Sequence, residues 1–119
     1  FIDPEGFQVE AARSLDAAVV ELHAGAYCAA PAGPARDAEF ERIAGAAALA
    51  GRLGLECHVG HGLTFDTVGP IAAIPNVVEL NIGHFLVGEA IFGGLDSTIR
   101  RMRALMDNAR AEAVGARSA

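Results

Sequence analysis

Three short segments of the chain share one alternation of apolar and polar positions. They are VELHAG at 20–25, LECHVG at 55–60 and VELNIG at 78–83, which align without a gap. In each segment a glutamate and then a histidine or asparagine alternate with apolar residues, and a glycine closes the segment. Strict alternation is typical of a β-strand that has one apolar and one polar face. The pattern therefore predicts three similar strands.

Helical spacing of apolar residues fills most of the chain between and after these strands. The predicted helices lie at 5–15, 37–53, a short stretch within 61–75, 84–92 and 94–113. Residues 1–3 have the pattern of a strand end, and the Pro/Gly/Ala-rich segment 26–36 is predicted to be a loop. Gly54 follows the second helix as a C-terminal capping glycine does. Strands that alternate with helices in this way predict an α/β fold with parallel strands.

Two architectures fit parallel strands that alternate with helices: a small open sheet covered by helices on both sides, and half of an eight-stranded barrel. Strands of such an open sheet are apolar on both faces, so the polar faces of these strands distinguish the two. One face here is apolar and comprises Val20, Leu22, Leu55, Cys57, Val59, Val78, Leu80 and Ile82. The other is polar and comprises Asp3, Glu21, His23, Glu56, His58, Glu79 and Asn81. Polar side chains at such positions line a barrel interior or its mouth. We therefore expect residues 1–119 to be the C-terminal half of one (β/α)8 TIM-barrel domain, with about four β/α units and a frayed tail at 113–119.

Composition narrows the class of protein further. The chain has 119 residues, a net charge of −6 and an isoelectric point near 5.0, which argue against a nucleic-acid-binding surface. Arg100, Arg101 and Arg103 are interpreted as a solvated helix face or a subunit contact. Two cysteines without CxxC spacing, and the lack of an apolar run of roughly 18 residues, favour the cytoplasm and argue against a membrane span. Because the chain starts within a predicted strand, we expect it to be a piece of a longer protein.

Two glycine-rich turns at the predicted strand ends have the character of a phosphate site. Gly-His-Gly at 60–62 follows the second strand, and Gly-His at 83–84 follows the third and begins a helix. Glycine lets the backbone approach a ligand closely, and the first N–H groups of a helix attract anions. Neither turn is a dinucleotide fingerprint or a P-loop, because Phe65 stands where a third glycine would be needed and no Gly-Lys-Ser or Gly-Lys-Thr occurs.

Histidines and glutamates near the strand ends are the candidate acid–base residues. Histidine exchanges protons near neutral pH, and glutamate joins it when burial raises its pKa. His61 lies between two glycines, and Glu21 and His23 point toward it from the neighbouring strand. His58, deeper in its strand, is interpreted as a hydrogen-bonded core residue. Together with His84 these side chains are numerous enough to bind zinc or manganese, but no HxH spacing occurs and we expect no metal site.

The motifs GHGLT at 60–64 and ELNIGH at 79–84, with VELHAGAYC before them, give nearly the whole chain a specific resemblance. The chain resembles the C-terminal half of pyridoxine 5′-phosphate synthase. The resemblance implies a cytoplasmic TIM barrel, a transferase-type enzyme of vitamin B6 biosynthesis that forms homo-oligomers, an octamer among them. The implied reaction condenses 1-deoxy-D-xylulose 5-phosphate with 3-amino-2-oxopropyl phosphate to give pyridoxine 5′-phosphate, inorganic phosphate and water. It uses no metal and no organic cofactor.

The resemblance also implies roles for individual residues. Glu21 corresponds to a glutamate that stabilises charged intermediates, and His61 corresponds to a histidine that donates a proton. The positions that correspond to phosphate-binding residues are Gly62, Gly83 and His84. For His84 we expect the backbone N–H to matter more than the ring. Further candidates for lining the lumen are His23 and Asn81.

The resemblance has one gap and one departure. A histidine and a glutamate that act as bases in the family come from earlier strands that precede the matching segment, so we expect the isolated chain to be inactive. Glu56 and His58 stand where a basic residue and an asparagine are more usual. If His58 faces the lumen, we expect this difference to alter the electrostatics around His61 without a change in the reaction.

Two alternatives stay open at the level of the sequence. One is another phosphosugar-binding TIM-barrel isomerase or lyase, which would bind sugar phosphates and ignore the aminoketone. The other is a non-catalytic, phosphate-binding half-barrel that assembles with a second copy, because a half-barrel exposes two unpaired strand edges.

Overall fold

Parallel strands and helices alternate along the chain in a computed structural model that describes residues 1–118. The elements are α1 (Gly6–Ser14), β1 (Val19–His23), α2 (Gly25–Ala29), α3 (Pro34–Arg52), β2 (Glu56–Gly60), α4 (Val68–Ala72), β3 (Val77–Asn81), α5 (His84–Gly93) and α6 (Leu95–Ser118). The strands form one parallel sheet in the order β1-β2-β3. The predicted α/β class with parallel strands is therefore confirmed.

The start of the chain extends this sheet beyond β1. The N–H of Ile2 donates to the carbonyl oxygen of Glu21, and the N–H of His23 donates to the carbonyl oxygen of Ile2, both at 2.9 Å. Ile2 and Leu22 form a parallel bridge. The prediction that the first residues end a further strand agrees with this pairing, which places them in sequence order beside β1.

The core lies on one face of the sheet, where α3 packs on β1 and β2 and α4 packs on β3. The strand side chains buried there include Val20, Leu22, Cys57 and Val59. Small residues of α3, including Ala46, Ala47 and Ala50, let the helix approach the strands closely. Each fully buried aliphatic side chain stabilises the fold by about 1.5–3 kcal/mol. The alternation that predicted an apolar face therefore identifies the side of the sheet that carries the helices.

The apolar face of β3 differs from the prediction at one position. Val78 was expected on the apolar face, but its side chain is 64% exposed, whereas Val77 is 1% exposed. The pairing of β2 with β3 shifts between Cys57 and His58, so that Cys57 faces Val77 and His58 faces Glu79. This irregularity inserts one extra residue into β3, and the valine that faces the core changes accordingly.

Three further predictions of regular structure differ from the structure at their edges. The segment predicted as a loop at 26–36 contains most of α2, and α3 begins at Pro34 rather than Asp37, because proline suits the first turn of a helix. The predicted frayed tail differs as well, because α6 continues to Ser118. Residue 119 of that tail lies outside the described residues. Within residues 1–118, no helix has the length and apolar character needed to cross a membrane.

Candidate functional site

One cavity at the carboxyl ends of the strands collects the predicted catalytic and phosphate-binding residues. Its volume is about 420 Å³, and its lining comprises Phe1, Glu21, His61, Gly62, Leu63, Ile82, Gly83, His84 and Phe85. Glu21 comes from β1, the residues at 61–63 from the loop after β2, and those at 82–85 from the end of β3 and the start of α5. Because the strands are parallel, these three chain segments meet at the same edge of the sheet.

Gly60 makes room for the carboxylate of Glu21. A Cβ atom at position 60 would lie 2.2 Å from Oε1 of Glu21 and 3.0 Å from Cβ of Asn81. Gly60 is buried at the end of β2, and its carbonyl oxygen accepts the N–H of Ala24 at 2.8 Å. The glycine that closes LECHVG therefore has a steric role, since its missing side chain lets the Glu21 carboxylate cross the sheet toward the cavity.

The turn after β2 contains two successive residues in the left-handed region. His61 has a φ of +75° and Gly62 a φ of +91°. A left-handed backbone at a residue other than glycine costs of order 1–3 kcal/mol, and such strain persists only where surrounding contacts impose it. Gly62 packs on α2, because a Cβ atom at position 62 would lie 3.1 Å from Cβ of Cys28. The strained backbone presents the exposed His61 side chain at the cavity.

Thr67 anchors the loop that carries His61. Its side chain is 4% exposed, and its Oγ1 accepts the N–H of Thr64 at 2.9 Å. Its carbonyl oxygen accepts the hydroxyl of Tyr27 at 3.1 Å, which ties the loop to α2. The sequence prediction missed this anchor, although the Thr-x-x-Thr spacing of GLTFDT is the signal of a side chain that bonds to the backbone three residues away.

We expect the Thr67→Val variant of the full-length protein to unfold with a free energy lower by about 1 kcal/mol, because valine keeps the shape and removes the acceptor for the Thr64 N–H. Denaturant unfolding measures the difference. Ser14→Ala is the matched control, since it removes an exposed hydroxyl that donates to the carbonyl oxygen of Ala11. An equal loss in both variants would contradict the anchoring role of Thr67.

His23 and His61 lie against each other at the mouth of the cavity. Their ring centroids are 4.7 Å apart with an interplanar angle of 26°, so the two imidazoles stack. The ring of Phe1 meets His23 edge-on at a centroid distance of 5.1 Å. Asn81, the other predicted lumen residue, is half-buried and pairs with Gly60 across the sheet.

The glutamate–histidine pair of β2, Glu56 and His58, does not line the cavity. The alignment of the sequence segments matches Glu21 to Glu56, whereas the register of the strands places Glu21 beside His58. Nε2 of His58 lies 2.7 Å from Oε1 of Glu56, and its Nδ1 lies 3.4 Å from Oε1 of Glu79. His58 is only 15% exposed. His58 is therefore hydrogen-bonded as predicted, but it lies beside Glu21 and Glu79 on the polar face of the sheet rather than in the core, and it does not line the cavity.

The start of α5 forms the other wall of the cavity. Gly83 is the N-cap residue and His84 the first helical residue, and the first turn contains no acidic side chain. The first N–H groups of an α-helix lack partners within the helix and carry a partial positive charge. This end of the ten-residue helix faces the same cavity as Gly62, so two backbone segments can contact one anion.

An aromatic pair closes the site on the side of α6. Phe65 and Phe85 meet edge to face at a centroid distance of 4.8 Å, and Cζ of Arg101 lies 4.0 Å above the ring of Phe65. Arg100 and Arg103 instead pair with carboxylates one turn away on α6, as a solvated face would. Arg101 is exposed as well, and its contact with Phe65 in addition links α6 to the loop at 61–67.

Burial disfavours the thiolate form of both cysteines. Burial raises the pKa of the Cys57 thiol to about 11. Burial also raises the pKa of the Cys28 thiol. Within residues 1–118, no group of three or more histidine, cysteine, aspartate or glutamate side chains has a metal-binding arrangement. The titratable side chains that line the cavity are therefore Glu21, His61 and His84.

Comparison with known proteins identifies relatives of the chain. The model of the family described as "Pyridoxal phosphate biosynthesis protein PdxJ" matches residues 1–108. The chain is 66% identical over 109 residues to the pyridoxine 5′-phosphate synthase of Rhodospirillum rubrum, a match that covers 92% of the chain and 44% of that relative. It is 59% identical over 114 residues to the synthase of Roseobacter denitrificans, with coverages of 93% and 46%. For the synthase of Caulobacter vibrioides the identity is 57% over 115 residues, with coverages of 94% and 45%. The chain thus spans slightly less than half the length of these curated relatives.

Proposed function

We propose, from the premise that the chain belongs to the PdxJ family of pyridoxal phosphate biosynthesis proteins, that it supplies the phosphate-binding and proton-donating part of a pyridoxine 5′-phosphate synthase. The observation that carries the proposal is one cavity at the strand ends. It brings together the two candidate catalytic residues and the three candidate phosphate-binding residues, which are Glu21, His61, Gly62, Gly83 and His84.

The fold that we propose for the full-length protein is a (β/α)8 barrel, of which this chain forms the C-terminal half. Three features support it. The strands are parallel and lie in sequence order, with the first residues of the chain bridging to the free edge of β1. The helices pack on the apolar face of the sheet, and the opposite face, which carries Glu21, His58 and Glu79, would line the interior of the barrel. The relatives have slightly more than twice the matched length, which leaves room for the other half.

The proposed reaction condenses 1-deoxy-D-xylulose 5-phosphate with 3-amino-2-oxopropyl phosphate to give pyridoxine 5′-phosphate, inorganic phosphate and water. The phosphate of one substrate binds the backbone N–H groups of Gly62 and of the first turn of α5 at Gly83 and His84, where the helix dipole favours an anion. Glycine at 62 adopts the φ of +91° that this turn requires and leaves room for Cys28 of α2. No metal and no organic cofactor takes part in this scheme.

Ring closure requires repeated proton transfers, and His61 is the proposed proton donor. Its imidazole stands exposed on a strained turn at the cavity, where an oxygen of the substrate could accept a proton as water leaves. The Glu21 carboxylate, which reaches across Gly60, offsets positive charge that develops on the condensing nitrogen. His23 and Asn81 complete the surface around these groups.

Localisation and assembly follow as parts of the same proposal. We place the enzyme in the cytoplasm, as a homo-oligomer that includes an octameric form. Support for the assembly comes from a set of large apolar side chains left exposed on α5 and at the start of α6, which are Val87, Ile91, Phe92, Leu95 and Ile99. Exposed apolar side chains in such number are typical of a surface that other parts of the assembly cover.

A direct assay of the full-length protein tests the proposed function. With both phosphorylated substrates present, we expect pyridoxine 5′-phosphate and inorganic phosphate in equal amounts, and with either substrate alone we expect neither. A folded protein that binds sugar phosphates but ignores the aminoketone would instead support the isomerase or lyase alternative. Binding of inorganic phosphate without turnover of any of these compounds would support the non-catalytic half-barrel.

A further inference from the structure

The ring of His61 has two aromatic neighbours in the structure. It stacks on the ring of His23 at 4.7 Å, and it makes a tilted contact with the ring of Phe1 at 6.4 Å. The turn that carries His61 is short and flanked by glycines, so the backbone alone allows the side chain several directions. The stacked ring of His23 therefore restricts where the His61 imidazole can lie.

The ring of His23 is itself held tightly from several sides. A Cβ atom at position 25 would lie 2.5 Å from its Cε1 and 3.0 Å from its Nε2, so Gly25 leaves the ring just enough space. The rings of Phe1 and His23 also meet in an edge-to-face contact. The backbone of β1 is fixed there as well, because Ala24 donates its N–H to the carbonyl oxygen of Gly60. The imidazole of His23 is thus a fixed platform rather than a free surface side chain.

We propose that His23 is a positioning residue for His61, whose imidazole it holds by ring stacking in the direction from which a proton is delivered into the cavity. The proposal rests on the proposed function, because it takes His61 as the proton donor. It assigns His23 no contact with the substrate. What it requires is a flat ring at position 23 and a glycine at position 25.

Positioning has a kinetic signature that differs from substrate binding. A displaced acid slows the chemical step, and a small misplacement of reacting groups has a large effect on rate. Phosphate binding by Gly62 and by the start of α5 does not involve the His23 ring, so affinity for the substrates should change little. The expected effect of losing the platform is therefore a lower kcat with a nearly constant KM.

Three variants of the full-length protein separate the platform from other roles of His23. His23→Ala removes the ring, and Gly25→Ala leaves the ring but forces it aside. We expect both to lower kcat by roughly tenfold, with KM within about twofold of the unaltered protein. His23→Phe restores a stacking ring without a titratable group and is expected to keep kcat within about threefold. His58→Asn is the matched control, since it removes a histidine of the neighbouring strand that lies outside the cavity.

Crystal structures of the same variants give a readout that does not depend on turnover. We expect the His61 ring to leave its stacked position in His23→Ala and in Gly25→Ala, and to keep it in His23→Phe. An unmoved His61 ring in both of the first two variants would overturn the proposal, whatever their activity. Equal kcat losses in His23→Ala and His23→Phe would also overturn it, because they would assign a chemical role to the imidazole. If the unaltered protein forms no product, the proposed function fails while the structures still decide whether His23 positions His61.

Discussion

The His61→Asn variant of the full-length protein is expected to form pyridoxine 5′-phosphate with a kcat lower by roughly 10²–10⁴-fold, the range that a positioned general acid contributes. Asparagine is the informative replacement because it tolerates the left-handed backbone that His61 adopts, with φ at +75°. The variant therefore removes the imidazole and keeps the turn. Steady-state kinetics with both substrates measure the loss.

His58→Asn provides the comparison for this result. His58 is not among the residues that line the cavity, and it bridges Glu56 and Glu79, so its removal takes away a histidine of the same strand without touching the proposed proton donor. We expect kcat to stay within about threefold of the unaltered protein, because the residue takes no part in the proton transfers. Comparable losses in the two variants, or a nearly unchanged kcat in His61→Asn, would contradict the role of His61.

Local patterns explain why so much of the site was predictable. Alternation along residues 20–25, 55–60 and 78–83 identifies strands and the face that each buries, because the side-chain period of a strand is two residues. Once the strands are parallel, their carboxyl ends share one edge, and the residues just after them meet there whatever the details of the loops. That is why Glu21, His61 and His84, predicted from separate segments, line one cavity.

The register between strands was not predictable from those patterns. The sequence alignment of the segments matches Glu21 to Glu56, whereas the strands pair Glu21 with His58. Strand pairing depends on hydrogen bonds and side chains from distant parts of the chain, and a shift of two residues leaves the apolar face unchanged. The alternation therefore carries no information about a two-residue stagger, and only the structure shows that His58 lies between Glu21 and Glu79 in the sheet. The exposed Val78 has a related cause, since an inserted residue in β3 breaks the period itself.

The contacts made by the loops and by α6 were also not predictable from the sequence. The stack of His23 on His61 and the position of Arg101 over Phe65 join segments that are far apart in the chain. A histidine or an arginine in isolation fits a solvated surface as well as a packed contact, because both side chains have a flat face and a polar edge. Only the geometry of neighbouring elements distinguishes these alternatives. It shows that Arg101 contacts the ring of Phe65, whereas Arg100 pairs with Asp96 on its own helix.

The glycine that ends β2 provides the second large expected effect. We expect Gly60→Ala in the full-length protein to lower kcat by roughly 10²-fold and to lower the free energy of unfolding by about 1–3 kcal/mol. The new methyl group would lie 2.2 Å from Oε1 of Glu21, so the carboxylate must leave the place from which it offsets positive charge. The methyl group would also lie 3.0 Å from the carbonyl oxygen of Asn81, and this backbone atom of the adjacent strand has little freedom to move. Kinetics and denaturant unfolding measure the two losses.

Gly45→Ala separates this steric effect from the general consequence of replacing glycine. Gly45 lies within α3 with no atom within 4 Å of an added Cβ, and alanine favours a helix, so this variant should be more stable by about 0.5–1 kcal/mol with an unaltered kcat. The opposite signs expected at positions 45 and 60 make the comparison decisive. If Gly60→Ala kept full activity, the Glu21 carboxylate would not need its place above Gly60. The proposed stabilisation of the condensing nitrogen by Glu21 would then have to be abandoned, while the proton-donor role of His61 would remain to be judged by His61→Asn.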